Sequence, residues 1–171
     1  MFTFTITAYV RNLKNLKAIL EKAKVWQVEH KISDETIMNA RLALDQFPLA
    51  SQVRTACNFA RNSGAVILGV EHPVYEDNEK TLTDLQDRID KVIAYLEAVT
   101  PETVQVDLET RMVPIVLVPG KGLTTKYFLE VYAHENFYFH YITAYAILRH
   151  YGLSIGKGDY MTNIEFKDLP K

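Results

Sequence analysis

Asn136, His140 and Thr143 stand four and three residues apart in the segment HENFYFHYITAYAILRHYG, residues 134–152. At about 100° per residue, that spacing puts all three on one stripe of a helix. His140 carries an imidazole, which can act as a general base or ligate a metal. Asn136 is a poor ligand for a divalent metal but a good hydrogen-bond partner. The other two histidines of the segment do not join them. His134 diverges from His140 by about 120°, and His150 lies about 80° round and more than two turns away. The stripe also has a purely structural use, because a buried His bonded by an Asn one turn away satisfies a core without any chemistry.

A second polar set precedes it. Arg41, Asp45, Gln52 and Ala56 share a stripe if helical phase survives the break before Pro48. Asp45 can cap the helix that contains Pro48, and Gln52 can bond between helices. If this stripe faces His140, the core holds an Asp, Gln, Asn and His pocket, in a place where bundles often keep ligand and metal sites. The acidic segment EHPVYEDNE, residues 71–79, reads as a solvated loop or as a metal site built from His72, Asp77 or Glu79. It lacks the ligand spacing and central Gly of a calcium loop. VPGKG lacks the phosphate-binding pattern of a P-loop and reads as a turn. There is no HExxH and no nucleophile elbow.

The elements that must position these residues follow from periodicity. Apolar residues recur at steps of three and four from Ile6 to Val28, which predicts a helix. Ser33 is an N-cap for a second helix over DETIMNARLAL, with Asp34 and Glu35 suited to its first turn. A break near Asp45–Phe47 precedes a helix from Pro48 towards Gly69, since Pro is tolerated only in a first turn. Thr81 and Asp84 form a cap-like pair opening an amphipathic helix over Leu82–Val99, which Thr100-Pro101 ends. Then the period changes. Val104, Val106 and Leu108 alternate, and a β-branched run follows at Val113–Val118, predicting two short strands in a hairpin, with Pro114 and Pro119 restricting them to an edge. The last helix spans Thr125–His150 and stops at Gly152. It is apolar nearly all round, so it is buried on several sides and points to a homodimer. Leu153–Lys171 reads as an irregular tail.

With 171 residues and 48% apolar content, the chain suits one domain with its own core over 1–171. A net charge of -2 without basic clusters argues against a nucleic-acid partner. No membrane span or signal peptide is expected. The lone Cys57 sits between apolar neighbours and reads as an inert buried thiol, in keeping with a reducing cytoplasm.

Three phrases in this order, NARLALDQFPLASQV, TLTDLQDRI and NFYFHYITAYAILRHYG, resemble an uncharacterised, mainly bacterial domain family of unknown function in the DinB/YfiT-like superfamily. The resemblance runs from about Tyr9 to Gly158. It implies a mainly all-α protein, a DinB-like four-helix bundle with a short β-hairpin inserted before the last helix. Metal-binding members of the superfamily use one His of the second helix and an HxxxH pair of the last, leaving a coordination position for water or substrate. Some members transfer or isomerise with small thiol cofactors. In this chain the HxxxH position reads Asn136 to His140, and the second-helix position reads Gln52. The resemblance thus implies that Gln52, Asn136 and His140 face one cavity, although one His with two amides is a weak zinc or nickel site. The expectation is a cytoplasmic protein with a small-molecule pocket. His140 is its base, or its metal ligand if a divalent metal binds at all. Gln52, Asn136, Asp45 and Thr143 orient substrate, as in a transferase or hydrolase. The alternative is a non-catalytic binding or dimerisation module in which these groups are structural.

Overall fold

Four long helices carry the fold of the computed structural model, which describes residues 3–104, 106–164 and 166–169. Helix α1 spans Ala8–Glu29 and follows a π-wound turn at Thr3–Thr7. Its stripe of Tyr9, Leu13, Leu16, Leu20 and Ala23 is buried, as the three-four periodicity requires. A short helix, α2, spans Asp34–Met38, and α3 spans Leu49–Leu68. Helix α4 covers Leu82–Glu97, and α6 covers His134–His150, entered through the single turn α5 at Thr125–Tyr127 and a π-wound turn at Phe128–Ala133. Packing runs in a ring, with α1 on α4, α4 on α3, α3 on α6 and α6 on α1. That ring is a helical bundle around one apolar core.

Most element boundaries follow local chemistry. Ser33 caps α2 by accepting from the Thr36 amide at 3.1 Å. Thr81 and Asp84 form a reciprocal capping box on α4, at 3.1 and 2.9 Å. Gly69 ends α3 with φ of 72°, and Gly152 follows α6 with φ of 107°, conformations that a Cβ would disfavour.

Two expectations are corrected. The second helix does not run through residues 39–44. Asn39 turns its amide onto the Glu35 carbonyl at 2.9 Å, and the Arg41 guanidinium donates to the carbonyls of Leu44 and Gln46 at 3.3 and 3.4 Å. These bonds hold residues 39–47 as a turn, leaving Leu42 and Leu44 exposed. The hairpin exists but is displaced. Strand β1 is Met112–Pro114 and β2 is Gly122–Thr124, antiparallel, with Val113 opposite Leu123. Val104, Val106 and Leu108 are not a strand, and Gln105 between them lies outside the described residues. Asp107 organises that stretch as a turn, its carboxylate accepting from the amides of Glu109 and Thr110 at 2.8 and 3.2 Å. The tail adds one short helix, α7, at Lys157–Tyr160; its residues Glu165, Pro170 and Lys171 lie outside the described set.

Candidate functional site

Pro48, extended, starts α3 afresh after the 39–47 turn and places Gln52 one turn into the helix. Gln52 is fully buried. Its Nε2 donates back to the Phe47 carbonyl at 3.0 Å. With the amide nitrogen spent there, Oε1 faces α6 and accepts from His140 Nδ1–H at 2.7 Å. The chain Phe47–Gln52–His140 therefore sets the imidazole tautomer. The proton sits on Nδ1, and Nε2 keeps its lone pair.

The environment keeps this ring neutral. His140 is 8% exposed. Phe47 and Phe59 lie nearly parallel to it, each with its centroid 6.2 Å away, and Phe139 meets it edge-on at 5.2 Å. Burial among these rings pushes the His140 pKa below the ordinary 6.5. Among the described residues Nε2 has no protein partner, yet it is not one of the sealed orphan atoms. The remaining exposure of His140 thus includes Nε2.

The other predicted site residues do not converge on it. Asn136 Nδ2 donates to the Tyr132 carbonyl at 2.7 Å, and Thr143 Oγ1 donates to the Phe139 carbonyl at 2.6 Å. Both share the face of His140 by spacing, but both bond back onto their own helix. Asp45 is exposed in the 39–47 turn, and α3 has no side-chain cap. Phase is therefore not preserved across the break, and Asp45 stands apart from Gln52. Phe47 and Phe59 were not on the sequence-derived list. Phe59 could have been, because it lies two turns from Gln52 on the same face.

None of five surface clefts, between about 340 and 600 Å³, is walled by His140, Gln52, Asn136 or Thr143. The donor set does not fit a three-histidine metal centre. His140 offers only Nε2, the Gln52 oxygen is already an acceptor, and Asn136 could add only an amide oxygen. Among the described residues no group of three His, Cys, Asp or Glu converges. At the acidic loop, Glu79 pairs with Arg88 at 2.6 Å and Asp77 pairs with Arg88 at 3.0 Å. Those carboxylates already have cationic partners.

Cys57 is fully buried, and that burial pushes its thiol up to about 12, so it is no nucleophile at neutral pH. No helix among the described residues is long and apolar enough to cross a membrane.

Comparison with known proteins agrees with this architecture. The family described as Domain of unknown function (DUF1993) matches residues 1–161. The crystal structure of a DinB family member protein from Shewanella denitrificans is 35% identical, with the match covering 98% of this chain and 95% of that one at a TM-score of 0.90. Among curated proteins none is detectably similar.

Proposed function

The chain belongs to the DUF1993 family of domains of unknown function, and from its DinB-like fold we propose that it acts on a small molecule at His140, without a three-histidine metal centre. The observation that supports this reading is the Phe47–Gln52–His140 chain, which holds a neutral imidazole by Nδ1 and leaves Nε2 without a protein partner among the described residues. Such a group is a ready general base. In a transfer or hydrolysis step, Nε2 removes the proton of an attacking thiol or water. Nδ1–H stays on Gln52 throughout, so the ring does not swing as it charges. Gln52 serves here as an orienting neutral partner, a weaker one than a carboxylate. The aromatic edges of Phe47 and Phe139 supply the apolar contact for a ligand. A lone buried thiol suits a reducing cytoplasm as the setting.

The test couples two measurements on untagged protein purified without chelators. Metal content by mass spectrometry should be far below stoichiometric in both wild type and His140→Ala. Small-molecule hits from a thermal-shift screen should be lost in His140→Ala. A variant that binds those hits unchanged ends this reading, and stoichiometric metal that disappears with His140 replaces it with a metal centre.

A second reading has its own support. Phe139 and Ile142 are exposed on the outer face of α6, and Asn136 and Thr143 are satisfied within that helix. In this reading α6 is the interface of a homodimer, and His140 is structural. A monomeric mass in sedimentation equilibrium removes it.

A further inference from the structure

Residues 71–80 lead from α3 to α4 without a helix or strand of their own. Among the described residues, no backbone N–H from Glu71 to Glu79 donates to a backbone carbonyl. The fastening comes instead from side chains of the two helices. On α4, Arg88 donates to the Glu76 carbonyl at 3.0 Å, pairs with the Glu79 carboxylate at 2.6 Å and reaches Asp77 at 3.0 Å. On α3, Arg54 donates to the Asp77 carbonyl at 3.2 Å. The Tyr75 ring stands 5.5 Å from the Arg61 guanidinium and 5.9 Å from that of Arg88. The segment is thus laid across the bundle and held through residues 75–79 by arginine side chains.

The atoms beneath it are poorly satisfied. Four buried polar side-chain atoms among the described residues lack a hydrogen-bond partner, and three of them gather here: Glu79 Oε2, Arg88 Nε and the Tyr95 hydroxyl. Glu79 Oε2 lies 3.5 Å from Arg54 Nε without a hydrogen bond, and Tyr95 stands near Tyr75 and Arg61. Donors and an acceptor are stranded together, so the fault is one of closure rather than of net charge. Each sealed polar atom costs free energy that contact with water returns. Opening exposes little more of Val70 and Val74, which are already 54% and 83% exposed. A cleft lies on either side of the segment. One, of about 600 Å³, runs along α4 at Asp87 and Arg88; the other, of about 480 Å³, runs along α3 at Asn62 and Val66. Val74 walls both, so the segment is the partition between them.

We propose that residues 71–80 are a releasable strap, which opens as a unit while the helices stay packed and so joins the two clefts into one groove over Asn58, Arg61, Arg88 and Tyr95. Its latch is the Glu79 carboxylate on Arg88, with the Tyr75 ring beside it. Such an opening requires less free energy than global unfolding, because no helical hydrogen bond is broken. The strap is independent of the His140 reading, since it lies over the α3–α4 side of the bundle rather than α6.

The test is cleavage of the full chain by a glutamate-specific protease at increasing urea, read by mass spectrometry beside circular dichroism. Arg88 holds the Glu76 carbonyl itself, so the bond between residues 76 and 77 is cut only when the strap is open. In wild type that cut should proceed while the helical signal is complete. Its rate should rise with urea much less steeply than the global unfolding constant, because little surface is exposed. Glu79→Gln keeps the shape without the charge and should speed the cut about tenfold with the helical signal unchanged, the loss of one charge-assisted bond to the strap. Tyr75→Leu should also speed it, and decides the matter if Glu79→Gln loses its helices. The proposal is overturned if the wild-type cut tracks global unfolding, if the folded variant is cut no faster than wild type, or if neither variant folds, which would make segment and bundle one unit.

Discussion

Replacing Gln52 with Leu tests the central geometry with little change of volume. Gln52 is fully buried and makes two bonds, donating to the Phe47 carbonyl at 3.0 Å and accepting from His140 Nδ1–H at 2.7 Å. Leu fills the space, so the cost comes from the two groups left unpaired rather than from a cavity. A buried polar group stripped of its partner costs about 1–3 kcal/mol. Both orphans have partial relief. Phe47 is itself exposed, so water can reach near its carbonyl, and His140 can move its proton to Nε2, which borders solvent. The lower part of each range therefore applies, and the sum is about 2–4 kcal/mol. For a domain of this size that lowers the melting temperature by roughly 4–16 °C. Urea unfolding followed by circular dichroism measures the energy, and imidazole nitrogen shifts in ¹⁵N-labelled protein measure the tautomer. Wild type should show the proton on Nδ1, and Gln52→Leu should shift population towards Nε2–H. A loss under about 1 kcal/mol together with an unchanged tautomer would refute the claim that Gln52 orients His140.

Three further outcomes follow from the same structure. The folded pKa of His140 lies below the ordinary 6.5, so the unfolded chain takes its proton first; stability present above that value is lost as pH falls through the folded pKa, at no more than about 1.4 kcal/mol per pH unit and less with solvent screening. His140→Phe should flatten that slope in urea midpoints taken at several pH values, and an unchanged slope would show that another group causes it. Arg88→Met leaves the nearly sealed Glu79 carboxylate without its 2.6 Å partner and should cost about 3–5 kcal/mol, part of which Glu79→Gln returns in the double mutant; strict additivity of the two losses in a double-mutant cycle would contradict the pairing. Cys57, with its thiol pushed up to about 12, should resist a thiol reagent at pH 8 until urea unfolds the chain. Prompt labelling of the native protein would place that thiol at the surface.

What could be read from the chain was local. Ser33 and the Thr81–Asp84 pair cap helices through atoms at most four residues apart, so their types and order suffice. The failures came where one local device outranked another. Val104, Val106 and Leu108 alternate like a strand, but the Asp107 carboxylate closes a turn among them. Leu42 and Leu44 continue a helical period, but the Arg41 guanidinium ties the carbonyls beyond into a turn. At the site, spacing correctly put Asn136 and Thr143 on the stripe of His140, yet spacing cannot say that each would bond to the carbonyl four residues before it. The partner His140 did acquire, Gln52, is 88 positions away; spacing could not reach it, and only the family resemblance pointed to it, because packing of α3 on α6 creates the contact.

Helix α3 explains why two polar systems can coexist in one small core. Gln52 and Phe59 are seven residues apart, as are Arg54 and Arg61, so each pair lies on one stripe. The two stripes start two residues apart, which turns them about 200° from each other. One faces α6 and holds His140; the other faces α4 and the acidic loop. Between them the helix is lined by Ala56, Ala60 and Gly64, all buried. At Gly64 a Cβ would come within 2.9 Å of Leu96 Cδ2 and 3.1 Å of Tyr95 Cε1, so a small residue lets α4 approach closely there. That approach seals the Tyr95 hydroxyl without a partner beside the Arg61 stripe. The packing that makes the bundle tight thus also leaves polar atoms unpaired beside one face of α3, a carboxylate oxygen of Glu79 as well as the Arg88 Nε and Tyr95 hydroxyl of α4, while the Phe47–Gln52–His140 chain spends all but one of its polar side-chain atoms on the other.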